Sequence, residues 1–263
     1  MTGTPYFFGI DDEVLLQRAS ELRGPYATAE PFPHAVVDDL LPPAAAGAIL
    51  GAFPTESAFG HLQGEPIASE RHQPGKHGLR HARHLASMPE GLADHLARFQ
   101  GSLFVRFLEL LTGIRGLVPD PHLKGAGVHL VRNGGHVDIH LDFNVDPDTG
   151  LHRRVNVLLY LNEDWHPGFG GQLELWRSPE EGPVQSIEPR FNRCVIFTAG
   201  AGAWHGHPRP LQLPPGRARR SLAFYYYTAA PPDGFPGEHG TLWRGARRQS
   251  SPLERLRGWL GGH

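Results

Sequence analysis

The sequence predicts a mainly β fold with flanking helices: a double-stranded β-helix of the jelly-roll, cupin-like type, buttressed by N-terminal helices. Three observations carry this. From about residue 125 to 228, eight short β-branched and aromatic runs follow one another with Gly, Pro, Asn and Asp between them. No segment of helical period interrupts that series, as a closed or double-sheet β architecture requires. The 33 glycines and 25 prolines among 263 residues favour turns over a helical bundle.

The elements follow in order. Asp11 to Leu22 carries Val14, Leu15, Ala19 and Leu22 at helical spacing. Pro42 and Pro43 open an Ala-rich helix to about Phe53, since a helix start has no use for the missing N–H. Ser87 to Glu90 has the form of a capping box. It introduces one long apolar stripe, Leu92, Leu96, Phe99, Leu103, Phe104, Phe107, Leu108 and Leu111, read as a helix packed on a sheet and ending near Gly113. The strands are expected near 126–132, 137–143, 154–161, 172–177, 185–188, 193–198, 203–207 and 219–228. Ser251 to Glu254 is a second capping box, before a short helix with Leu253, Leu256 and Leu260 on one side. The expected organisation is one structural domain, with 1–124 as helices and loops packing on the core, 125–230 as the β-core and 231–263 as a C-terminal tail with a short helix.

Composition narrows the function classes. The formal net charge is -2 and charges of both signs are interspersed, so nothing draws in nucleic acid or an anionic membrane. No run approaches the ~18 apolar residues of a membrane span, and the first residues lack the pattern of a signal peptide. A cytoplasmic protein is the expectation. Cys194, the single cysteine, lies in an apolar run and reads as a buried small hydrophobe. The 17 histidines direct attention to metal chemistry.

Two His-x-Asp dyads occur, His136/Asp138 and His140/Asp142; about two are expected by chance at this composition, so position must choose between them. An i, i+2 spacing at a strand end puts imidazole and carboxylate on one face. A second histidine from elsewhere would complete the two-histidine, one-carboxylate set that leaves iron positions open. The candidates are His205 and His207 in Trp204-His205-Gly206-His207-Pro208, with His205 favoured because it follows an apolar run and precedes glycine. On the last strand Arg219 and Ser221 share one face, a fixed cation and a hydroxyl suited to a carboxylate. Arg220 falls on the other face with Leu222 and Phe224.

These stretches, His140–Asn144, Arg153–Trp165, Gly170–Trp176, Ile187–Asn192, Trp204–Pro208 and Arg219–Thr228, together resemble the prolyl 4-hydroxylase-like Fe(II)/2-oxoglutarate-dependent dioxygenases. The likeness is strong over roughly 125–228 and looser at Pro31–Asp39. It implies His140, Asp142 and His205 as metal ligands and catalytic centre, leaving His136 and Asp138 as a decoy. It implies Arg219, Ser221, Tyr160 and Leu173 as contacts of 2-oxoglutarate. The implied activity is hydroxylation of an unactivated C–H bond, on a small molecule, amino acid or prolyl/peptidyl substrate. The implied cofactors are Fe(2+), 2-oxoglutarate and O2, with release of succinate and CO2 and ascorbate as a reductant. Asp142 itself separates the chain from halogenating relatives, which carry a small residue there.

Two rivals remain at this level. One is a cupin-like metalloenzyme without 2-oxoglutarate, which needs the triad but not Arg219. The other is a non-catalytic metal-binding sensor barrel, which tolerates loss of Asp142. The histidines at 72, 77, 81 and 84 could form a second metal site, but read better as a partly solvated loop covering the site, with Arg71 to His84 expected to touch substrate. No motif encodes the substrate or the oligomeric state.

Overall fold

Alternation of side chains along each strand dictates what the two faces of the main sheet meet. On β10 (Cys194–Thr198), Cys194 and Ile196 join a core shared with the helices, whereas Val195 and Phe197 join a second core between sheets. On β7 (His152–Tyr160), Val155, Val157 and Leu159 face the helices and Tyr160 faces the second core. β12 (Arg219–Thr228) sends Leu222, Phe224 and Tyr226 to the helices. The computed structural model describes residues 7–61, 65–66, 71–79, 84, 88–89, 91–120 and 122–244.

The main sheet runs β1 (His34–Val37), β10, β7, β12, β5 (Gly127–Val131), β3 (Lys76–Leu79) and β2 (Glu65–Pro66), with β4 (Val118–Pro119) also on β12. The second runs β13 (Leu242–Trp243), β6 (Val137–Leu141), β11 (Trp204–His207), β8 (Leu173–Trp176) and β9 (Pro183–Ile187). All pairings are antiparallel. Residues of both sheets, among them Leu141, Tyr160, Leu173, Leu175, Val195 and Phe197, fill the space between them, giving the expected double-sheet β-core.

Helices cover the outer face of the main sheet. α1 (Asp12–Ala27) is capped by Asp11, whose carboxylate accepts from the backbone of Glu13 at 2.9 Å and Val14 at 3.3 Å. It runs five residues past the expected end, and its buried residues are Leu15, Ala19 and Tyr26; Val14 is exposed. α2 (Pro43–Gly51) begins at the paired prolines and α3 (Glu56–His61) follows. The apolar stripe from Leu92 forms two helices, α4 (Leu92–Gln100) and α5 (Ser102–Thr112), not one. Gly101 is extended at φ -71°, ψ 156°, which ends one helix and starts the next. α4 docks on β12 through Phe99, stacked on Phe224 at 4.4 Å, and the Tyr226 hydroxyl donates to the Phe99 carbonyl at 2.6 Å. Each such fully buried aromatic contributes about 1.5–3 kcal/mol of burial.

Three features differ from expectation. Residues 1–124 hold strands as well as helices, because β1 adds to β10 and β3 adds to β5. Residues 76–79 of the histidine-rich stretch are therefore sheet rather than loop. The tail supplies β13, which pairs with β6. Ser87, Glu90, His81 and the 251–260 helix lie outside the described residues. Among the described residues no helix is long and apolar enough to cross a membrane.

Candidate metal and co-substrate site

His140 on β6 and His205 on β11 are direct cross-strand partners, so their side chains leave the two strands side by side. Their ring centroids are 4.4 Å apart. Asp142 follows β6 by one residue and closes the set: its Oδ1 is 3.5 Å from His140 Nε2 and its Oδ2 is 3.5 Å from His205 Nε2. The ligand-type atoms of the three all lie within 4.8 Å of one another, a grouping that can hold one metal ion. Tautomers fit this use. Each Nδ1 lies 2.9 Å from a backbone carbonyl, that of Asp138 for His140 and that of Ala203 for His205. A carbonyl only accepts, so Nδ1 carries the proton and the Nε2 lone pair is turned inward. Gly206 is required between the two histidines of β11, because a Cβ there would lie 2.6 Å from the Asp138 carbonyl oxygen.

The other dyad is engaged elsewhere. His136 Nε2 lies 3.3 Å from Asp138 Oδ1, and Asp138 Oδ2 pairs with His72 Nδ1 at 2.9 Å. His72 in turn stacks on Trp243 at 4.7 Å, and Trp243 leans on His140 at 4.8 Å. The tail strand thus walls the metal grouping, a role that no pattern in the tail announces.

Two residues without an assignment from sequence hold Asp142. Buried Arg153 donates from Nη2 to Asp142 Oδ2 at 2.8 Å, and Asn156 donates from Nδ2 to the same oxygen at 2.9 Å. Arg153 also donates from Nε to Asn156 Oδ1 at 2.8 Å and lies 3.4 Å from the centre of the Tyr225 ring. Burial works against the Asp142 carboxylate, but the Arg153 charge and the two imidazoles outweigh it and hold the group well below the ordinary range. Burial, with His140 beside it, lowers His205 to about 4.

A cavity of about 310 Å³ opens from the triad. Its wall includes all the other sequence candidates: Arg219, Ser221, Tyr160 and Leu173. Arg219 is buried; its Nε donates to the Gly171 carbonyl at 2.9 Å and its Nη2 to the Tyr160 hydroxyl at 3.3 Å. No carboxylate of the described residues pairs with it. Arg220 is half-buried on the opposite face, where its backbone N–H donates to Asn162 Oδ1. Cys194 is fully buried, and burial raises its thiol pKa.

Residues 126–227 match the model of the 2OG-Fe(II) oxygenase superfamily. Over that stretch the chain resembles the 2OG-Fe(II) oxygenases. Its fold is similar to that of a Pseudomonas putida prolyl-4-hydroxylase (20% identity, TM-score 0.56, covering 80% of this chain and 98% of that one). It is similar also to a Trichoplax adhaerens prolyl hydroxylase solved with a hypoxia inducible factor oxygen degradation domain peptide (19%, 0.56, 81% and 90%). A third is HygX from Streptomyces hygroscopicus, solved with nickel and 2-oxoglutarate (12%, 0.50, 80% and 92%). No curated protein matches the chain. The match over residues 126–227 and the His140, Asp142 and His205 grouping support an iron- and 2-oxoglutarate-dependent oxygenase.

Proposed function

We propose that this oxygenase hydroxylates an unactivated C–H bond of a small molecule, amino acid or prolyl/peptidyl substrate, with iron on His140, Asp142 and His205 and 2-oxoglutarate anchored on Arg219. The observation that carries the reading is Arg219 itself. A guanidinium buried to 5% exposure with no carboxylate opposite is costly unless an anion joins it. It sits in the wall of the cavity that holds a facial two-histidine, one-carboxylate set, and Tyr160 and Ser221 offer hydroxyls in the same wall.

The donor set suits a divalent first-row ion, with two inward imidazole lone pairs and a carboxylate fixed by Arg153 and Asn156. When bound, iron with 2-oxoglutarate and O2 supplies the oxidising power, giving succinate and CO2. The residues of the chain orient and exclude. Arg219 and Tyr160 receive the distal carboxylate, Leu173 packs on the dicarboxylate stem, and Phe197 and Trp243 close the wall against water. The prolyl hydroxylases with similar folds support a peptidyl or amino-acid substrate as the first to try.

Adding iron(II) and then 2-oxoglutarate under anaerobic conditions is expected to produce a charge-transfer absorption band, weakened in Arg219→Ala. Iron bound without a band would overturn the reading. Succinate formation across amino acids, prolyl peptides and metabolites then identifies the substrate.

A further inference from the structure

Three strands place side chains around the Arg219 end of the cavity. Val131 on β5 pairs with Arg219 on one side and with Lys76 on the other. Arg219 and Lys76 therefore occupy one row of the sheet, with one strand between them, and both line the cavity. Across such a row their Cα atoms are about 10 Å apart, within reach for two long side chains converging over Val131. The next row holds His129, Ser221 and Tyr160, again on the cavity wall.

The opposite sheet contributes His207. It follows His205 across a bulge, pairs with Val137 and lines the same cavity at 4% exposure. Neither of its ring nitrogens has a hydrogen-bond partner. A buried imidazole without partners is costly, and such groups are found where a ligand or water completes them. Its surroundings say what kind of ligand. Arg219 and Lys76 line the same cavity as His207, so a group seated among the three meets two cations and an imidazole able to donate. That is a place for an anion.

We propose that His207 and Lys76 join Arg219 in binding the distal carboxylate of the co-substrate, so that three strands, β3, β11 and β12, clamp it. The inference rests on the 2-oxoglutarate reading above. It gives the histidine-rich stretch around Lys76 a function different from covering the substrate. It also makes His207 a ligand of the organic acid rather than an alternative to His205 at the metal.

The test compares two keto acids with the same chelating head, 2-oxoglutarate and 2-oxopentanoate, which lacks the distal carboxylate. Each is titrated anaerobically into the iron(II)-loaded protein, and the ratio of the two Kd values is read. In His207→Val and in Lys76→Met the preference for 2-oxoglutarate is expected to fall about tenfold each, the effect of one charge-assisted hydrogen bond. His207→Gln, which keeps a donor, restores part of it. An unchanged ratio in both variants overturns the proposal, as does an equal weakening of both ligands, which marks a purely structural role. If His207→Val fails to fold, Lys76→Met, at a half-buried strand position, decides alone. A wild-type protein that binds iron yet neither keto acid refutes the parent reading instead, a different outcome.

Discussion

Replacing Arg153 by Met separates the support of the metal site from the site itself. Methionine keeps an apolar stem but removes the guanidinium, which lies over the Tyr225 ring and pairs with Asp142 at 2.8 Å and with Asn156 at 2.8 Å. The Arg153 side chain is 1% exposed and that of Asp142 16%, so the pair is shielded from solvent. Removing one partner of such a pair costs about 3–5 kcal/mol, because the remaining charge is stranded. For a chain of this size that is a fall in Tm of about 6–20 °C. The freed carboxylate is then held by Asn156 alone, so metal affinity is expected to drop about 10–100-fold, as for other outer groups that orient a ligand. Circular dichroism melts of metal-free protein give the first number, and cobalt(II) titration gives the second. Arg154→Met is the control: that residue is half-buried and bonds to Thr228 at 3.1 Å, and its loss is expected to cost under about 1 kcal/mol. Arg153→Met melting within a degree or two of wild type, with unchanged cobalt affinity, would refute the assignment of Arg153 as the group that holds Asp142.

Gly171→Ala tests the seat of Arg219: at φ +72° an alanine is strained, and its Cβ would lie 2.5 Å from Leu211 Cδ2 and 3.1 Å from Arg219 Cδ. The variant is expected to bind 2-oxoglutarate about tenfold more weakly while holding cobalt normally, and equal affinity for the keto acid would show that Arg219 does not need this seat. Acid sensitivity follows from the buried imidazoles. Burial keeps His205 neutral down to about pH 4, and His207 is shifted the same way, whereas the unfolded chain takes up those protons as pH falls through about 6.5. Metal-free protein should therefore lose on the order of 1.4 kcal/mol per pH unit from His205 between those limits, with a further loss of the same sign from His207, read as Tm against pH. Asp142, held low in the fold, adds a loss of the same sign at lower pH. A flat profile from pH 6.5 to 4.5 would contradict the burial assigned to both histidines.

The β-core was legible because its strands are buried on a strict two-residue period. Cys194 and Ile196 against Val195 and Phe197 show why a run of apolar residues still reads as one strand with two faces. The same period placed Arg219 and Ser221 inward and Arg220 outward. It failed where the backbone breaks it. Counting back from Tyr160 through Leu158 and Asn156 points Arg154 into the cavity. Yet β7 shifts register opposite Tyr226 and Tyr227, and the bulge turns Arg153 inward in its place. A local pattern cannot contain such a shift, because the extra residue is defined only by the partner strand. The same limit hid Lys76 and Trp243, which reach the site because β3 and β13 add to edges supplied by strands about 50 to 100 residues away in sequence. Gly101 marks the opposite case: it stands in plain view, but the unbroken apolar stripe around it outweighed a single residue of low helix propensity. The metal grouping could therefore be assembled from motif order, while the residues that hold and wall it depended on pairings that only the folded sheets define.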